Sequence, residues 1–259
     1  MDKDKSQNLA LFCDFENVAL GVRDAKYAAF DINKVMERLL LKGSIVVKKA
    51  YCDWSRYKEF KKPMHEAAFE LIDIPHVRMS GKNSADIRMV VDALDLCYTK
   101  AHVDTFVVIS GDSDFSPLVS KLRENNKIVI GVGVKSSTSD LLIANCDEFI
   151  YYDDLVRDEK KPRRKPASKN KAQKGNEDKS QEGFDLVLET LDALLAERDD
   201  NGKIWGSMIK QTLKRRRPGF NESYYGFSSF SAMLDAMQTA GLLELEKDER
   251  SGGYLVSSV

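Results

Sequence analysis

Cysteine is scarce in this sequence of 259 residues: Cys13, Cys52, Cys97 and Cys146 lie far apart, mostly in or beside apolar runs. With no CxxC pair among them, a structural zinc site and a disulfide framework are both disfavoured. No apolar stretch approaches membrane-spanning length, and Met1 to Gln7 is charged without an apolar core region. A soluble, cytoplasmic protein with no membrane partner is therefore expected. The three histidines, His65, His76 and His102, show no ligand spacing, and no serine triad is supported. Net charge is nearly absent too: 40 Lys and Arg against 41 Asp and Glu give −1, which names no partner. The length exceeds one average domain, so one full-size domain and a smaller one are expected.

What is present centres on Thr105 to Phe115, Thr-Phe-Val-Val-Ile-Ser-Gly-Asp-Ser-Asp-Phe. Its apolar first half reads as a strand buried on both faces. Asp112 and Asp114 then fall where that strand ends, with Ser113 or Asp114 and Pro117 marking the next helix. In open α/β sheets, ligands bind outside the carboxyl ends of strands. Two carboxylates placed there repel each other unless a cation is shared, which points to a hard divalent metal.

The chain before and after this segment alternates. Strands are expected at Leu9 to Cys13, Ile45 to Tyr51, Pro75 to Met79, Phe106 to Ile109, Ile128 to Val132 and Glu148 to Tyr151. Leu9 to Cys13 ends at Asp14, and a loop follows. Asp31 then caps a helix with Ile32, Val35, Met36, Leu39 and Leu40 on one face, closed by Gly43. Further helices are expected at Phe60 to Ile72, Ala85 to about Tyr98, Phe115 to Glu124 and Leu141 to Asn145. Such alternation gives βαβ units, hence a mostly parallel sheet with helices on both faces, in a domain of residues 1–156.

From 157 to 182 the composition becomes polar and basic, with ten Lys and Arg against five Asp and Glu between Arg157 and Gly183. A segment of this kind buries too little to offset its ordering entropy and reads as a flexible linker. Lys160 to Lys165 could be a nuclear address, but a solvated tether that also touches phosphates is the preferred reading. Helical periodicity returns at Phe184, Val187, Leu188, Leu191, Leu194 and Leu195. Helices at Ile204 to Leu213 and Phe230 to Ala240 follow, then strands at Leu242 to Leu245 and Tyr254 to Val256. Three helices and a hairpin outline a winged helix over residues 183–259.

If the first and fourth strands are neighbours, Asp14, Asp112 and Asp114 meet at the switch point between them. Asp86 opens the helix after the third strand, and Asp92 lies somewhat under two turns further. Such an oxygen-rich nest suits Mg²⁺ or Mn²⁺, and it can orient a water and polarise a phosphodiester. Asn17 is placed to position a water or phosphate, Ser110 and Ser113 to add hydroxyl contacts, and Lys82 to meet a phosphate. Each acid alone is as readily a helix cap or turn former, Asp92 a solvated helix residue, and Glu16 an exposed one. The joint pattern outweighs those readings. In the tail, Lys210, Lys214, Arg215, Arg216 and Arg217 gather positive charge beside Tyr224, Tyr225 and Phe227, a mixture suited to single-stranded RNA. The plainer view makes Phe220, Phe227 and Phe230 core and leaves the basic run as contact surface.

Phe12 to Asn17, Lys82 to Asp86, Ser110 to Phe115 and Ala144 to Ile150 together resemble the NYN domain, a branch of the PIN-like nucleases, over most of residues 8–155. The resemblance implies a PIN-like Rossmannoid fold and a metal-dependent ribonuclease. Its acidic residues match Asp14, Asp86, Asp112 and Asp114 here, with Asn17 at the family's early Asn. Ile204 to Ser207, Lys214 to Phe220 and Gly226 to Phe230 resemble the LOTUS or OST-HTH domain, which implies RNA binding and sometimes protein partners. The expected function is an endoribonuclease acting on single-stranded RNA with one or two Mg²⁺ or Mn²⁺ ions, the tail holding the RNA. The alternative is a non-catalytic RNA-binding adaptor, and a protein partner or homodimer stays open. Toprim and haloacid-dehalogenase phosphatase patterns fit less well, because the early strand ends in Asp14 with Glu16 two residues on.

Overall fold

The structure, a computed structural model, describes residues 7–75, 84–158, 177–197, 203–217, 220–248 and 253–258. The chain divides into two compact units, 1–163 and 164–259. Lys82, most of the expected strand at Pro75 to Met79 and the middle of the expected linker lie outside the described residues.

In the first unit the order is β1 (Gln7–Asp14), α1 (Phe15–Asp24), α2 (Ile32–Leu40), β2 (Gly43–Cys52), α3 (Lys58–Glu66), β3 (Glu70–Asp73) and α4 (Ser84–Thr99). It continues through β4 (Thr105–Ile109), α5 (Ser116–Glu124), β5 (Ile128–Gly133), α6 (Asp140–Asn145), β6 (Glu148–Tyr151) and α7 (Tyr152–Asp158). All six strands are parallel, in the spatial order β3-β2-β1-β4-β5-β6. The α/β class expected from the alternation is the one observed. Leu9 to Cys13 and Phe106 to Ile109 are buried because helices cover both faces. Phe15, Val18, Val22, Ile32, Val35 and Leu39 pack one face, and Met89, Ala93, Leu118, Val119 and Leu122 the other.

The structure departs from the sequence reading in five places here. The loop expected after Asp14 is α1, whose buried Phe15, Val18 and Val22 follow helical spacing. Gly43 opens β2 instead of closing α2. The helix expected at Phe60 to Ile72 stops at Glu66, because Ala68 adopts a left-handed φ of 58° and reverses the chain. The third strand, β3, therefore lies at Glu70–Asp73, ahead of its expected place, and pairs with Lys49 to Cys52. Finally, α7 runs past Arg157 into the expected linker.

The second unit comprises α8 (Glu177–Glu197), β7 (Ile204–Trp205), α9 (Gly206–Arg216), α10 (Phe230–Thr239), β8 (Leu243–Lys247) and β9 (Tyr254–Ser258). Its strands form an antiparallel sheet in the order β7-β9-β8. Val187, Leu191, Ile209, Leu213, Met233, Met237 and Val256 make its core. Two boundaries differ from expectation. Helix α8 begins before residue 182, and Gly183 sits inside it because a Cβ there would stand 2.8 Å from both Met233 and Tyr225. Ile204 and Trp205 pair with β9, so the second helix starts at Gly206.

Candidate active site

The site grows from the β1–β4 pair. Cys13 is in register with Ile109, so Asp14 and Ser110 leave the sheet side by side. Ser110 Oγ donates to Asp14 Oδ2 at 2.9 Å, and the Asn17 amide donates to Asp14 Oδ1 at 3.3 Å, which caps α1. Asn17 Oδ1 accepts from the Gly111 amide at 2.8 Å. The Asp112 amide donates to Ser110 Oγ at 3.2 Å, and Asp112 Oδ1 accepts from the Asp114 amide at 3.0 Å. Asp112, not Ser113 or Asp114, therefore caps the short 3-10 turn that leads into α5. Glycine is required at 111, since a Cβ there would stand 2.5 Å from the Ser137 carbonyl oxygen. The Ser139 amide also donates to the Gly111 carbonyl at 2.9 Å. These bonds hold the turn from several directions.

Asp14 is almost wholly buried, and burial first, then the charge of Asp86, pushes its carboxyl up to about 7. Asp86, in the first turn of α4, is pushed up to about 6 by burial and then by the charges of Asp112, Asp114 and Glu16. The four acids expected to converge thus lie within reach of one another's fields. Among the described residues no Lys or Arg forms an ion pair with any of them. Glu16 is less exposed than expected, with Arg56 Nη1 donating to its Oε1 at 2.9 Å.

Three expected contributors have other occupations. Ser110, read as a hydroxyl contact for a ligand, is fully buried and committed to Asp14 and the Asp112 amide. Asn17 spends its amide oxygen on the Gly111 turn, which makes it an organiser of the loop. Asp92 bonds Tyr51 at 2.9 Å, Lys49 at 3.2 Å and Arg88 at 3.0 Å. Burial opposes its charge, but those donors hold its carboxyl below the usual carboxylate range, so its charge is already spent.

Residues 8–153, more than half of the chain, match the NYN domain family. The chain belongs to that family. Residues 185–254 match the OST-HTH/LOTUS domain, so the order implied by the resemblance, NYN then LOTUS, is the one found. A stretch of 150 residues is 25% identical to the meiosis regulator and mRNA stability factor 1 of Xenopus tropicalis, covering 58% of this chain and 9% of that protein. Another of 112 residues is 28% identical to an uncharacterised protein of Methanocaldococcus jannaschii, covering 43% of each. The chain therefore spans less than half the length of either relative. In structure it is similar to a Vibrio parahaemolyticus protein of unknown function, with 29% identity, a TM-score of 0.52, and coverage of 60% of this chain and 98% of that one.

The donor set of the NYN domain fits a hard cation in chemistry, since it is all carboxylate oxygen with no ion-paired Lys or Arg among the described residues. Among the described residues, however, no three His, Cys, Asp or Glu side chains stand close enough to hold one ion together. Mg²⁺ keeps several waters and needs only one or two direct carboxylates, so a pair of these acids with the rest bonded through water still suits it.

On the LOTUS domain the structure thins the expected basic surface. Lys210 is paired with Glu222 at 2.6 Å and Arg216 with Glu189 at 3.3 Å. Arg215 is half-buried and donates to Thr212 Oγ1 at 2.9 Å. Tyr225 is core, stacked on Phe220 at 5.4 Å, and Phe230 is buried as well. Lys214, Arg217 and Tyr224 remain exposed, Tyr224 at 60%. Lys179, which the sequence reading passed over, stands 5.0 Å from the Tyr224 ring.

Proposed function

We propose that the chain is an endoribonuclease that hydrolyses phosphodiester bonds of single-stranded RNA with one or two Mg²⁺ or Mn²⁺ ions. The observation that carries this reading is that Asp14, Asp112 and Asp114 follow the paired strands β1 and β4, with the charges of Asp112 and Asp114 bearing on Asp86 and that of Asp86 on Asp14, without a basic partner among the described residues. Asp14, Asp86, Asp112 and Asp114 are the residues that would hold the metal, whose chemistry when bound is to polarise the phosphodiester and activate a water. Ser110, Asn17 and Gly111 keep Asp14 and Asp112 in fixed relation. Lys82, two residues before α4, is the proposed phosphate contact of that edge. Lys214, Arg217 and Tyr224 of the LOTUS domain would hold RNA by charge and stacking, and the covalent link between the domains raises the local substrate concentration. Among the described residues no helix is long and apolar enough to cross a membrane, and a cytoplasmic setting is part of the proposal.

A second reading, an RNA-binding adaptor without catalysis, draws on the exposed Lys214, Arg217 and Tyr224 of the LOTUS domain. Cleavage of a labelled, mixed-sequence single-stranded RNA with Mn²⁺, with Mg²⁺ and with chelator separates the two. Cutting that stops in chelator supports the nuclease. Binding without cutting under either metal, lost when residues 159–259 are removed, supports the adaptor.

A further inference from the structure

We infer that the cleft between α1 and α3 of the NYN domain is a nucleotide subsite, which takes a base of single-stranded RNA next to the bond to be cut. This rests on the reading of the protein as one that acts on RNA. The cleft has a volume of about 410 Å³ and is lined by Leu20 and Arg23 of α1, Tyr27 beyond it, Arg56 and Tyr57 before α3, and Phe60 within α3. That volume lies within the roughly 300–1,000 Å³ of sites that enclose small ligands.

Its aromatic side is firmly held. The buried Phe15 ring lies 5.5 Å from Tyr57, 5.1 Å from Phe60 and 5.0 Å from the buried Trp54. Such packing fixes the rings before any ligand arrives, and a pre-fixed aromatic face is what a splayed base stacks on. The charge also suits a polyanion. Arg23 and Arg56 line the cleft with one acid, Glu59, among the described lining residues, and Arg56 is already paired with Glu16. Arg23 pairs only loosely with its neighbour Asp24, at 3.4 Å with both side chains more than half exposed, so its charge is available.

Position ties the cleft to the acids. Arg56 lines it just beyond β2, whose Tyr51 is in register with Asp14, and bonds Glu16, two residues past Asp14. Arg56, its charge shared with Glu16, thus stands between the cleft and the acid edge.

The test is photo-crosslinking of the full chain, in chelator so that nothing is cut, to single-stranded RNA carrying 4-thiouridine, with the crosslinked peptides mapped by mass spectrometry. Crosslinks at the peptide holding Tyr57 and Phe60 are expected, and loss of the stacking face in Tyr57→Ala should raise KM for RNA cleavage about tenfold with kcat nearly kept. Arg56→Ala, at an exposed site, should weaken the same crosslinks, and it provides the test if Tyr57→Ala proves unstable. Crosslinks confined to the LOTUS domain, with parental KM in both variants, would overturn the subsite while leaving the nuclease reading in place. Crosslinks in the cleft of a chain that cuts under no metal would support the subsite and overturn the nuclease reading instead.

Discussion

The acid edge of the NYN domain and the basic helix of the LOTUS domain treat their charges in opposite ways. At the acid edge, the fold brings Asp14, Asp86, Asp112 and Asp114 together and pairs none of them with a Lys or Arg among the described residues. On α9, two of the five expected cations are spent on Glu222 and Glu189, and a third is half-buried. Charges used internally belong to the architecture of a domain. Those gathered and left unbalanced, at the expense of folding, point to something that arrives from outside. By this comparison the proposed chemistry belongs to the first unit, and of the expected contacts on the second, Lys214, Arg217 and Tyr224 stay exposed, with Lys179 beside Tyr224.

Several substitutions can break or sharpen that contrast. The largest effect is expected from Gly111→Ala, whose methyl group meets the Ser137 carbonyl oxygen. It should destabilise the NYN domain by about 3 kcal/mol, read from denaturant melts, and remove cleavage as the Asp112 turn shifts. Next comes the pH dependence of the metal-free chain. Asp14 and Asp86 titrate at about 7 and about 6 when folded, against roughly 4 when unfolded. In that interval the native state binds more protons than the unfolded one, so stability should fall as pH rises from about 4 to about 7, then level off. Asp14→Asn should flatten the fall in melts taken across that range, and an unchanged slope would show that Asp14 does not take up its proton there.

Smaller effects belong to the LOTUS domain. Arg216→Ala removes a partly buried partner of Glu189 and should cost about 1 kcal/mol in thermal stability with little change in RNA affinity. Lys214→Ala should do the reverse, leaving stability within about 0.5 kcal/mol and lowering the salt dependence of RNA binding by about one counterion in a titration. If Arg216→Ala weakens RNA binding as much as Lys214→Ala does, the division between spent and available charge is wrong.

The parallel sheet and its acid edge were legible because their causes are local. A doubly buried strand needs an unbroken apolar run, and the run from Thr105 to Ile109 leads directly to Asp112 and Asp114. That β1 and β4 are neighbours was a condition of the sequence reading, and the strand order meets it. Helix α1 was legible as well, in the spacing of Phe15, Val18 and Val22, but it was passed over because the strand ends at its cap, Asp14. Other features left no local mark. Ala68 turns the chain with a left-handed φ that glycine or asparagine would have announced. The need for Gly111 arises from the backbone at Ser137 and Thr138, which only the fold brings near. Arg216 and Glu189 are 27 residues apart, so their pairing could not be read from α9 alone. The same holds for Tyr225, whose neighbour Tyr224 is exposed while it stacks on Phe220.

The most direct test of the central claim is single-turnover cleavage of labelled single-stranded RNA in Mn²⁺ by the parent chain and by Asp112→Asn, with the RNA affinity of both measured alongside. The account predicts cutting by the parent and none by the variant, at similar affinity. Comparable metal-dependent cleavage by Asp112→Asn would contradict it.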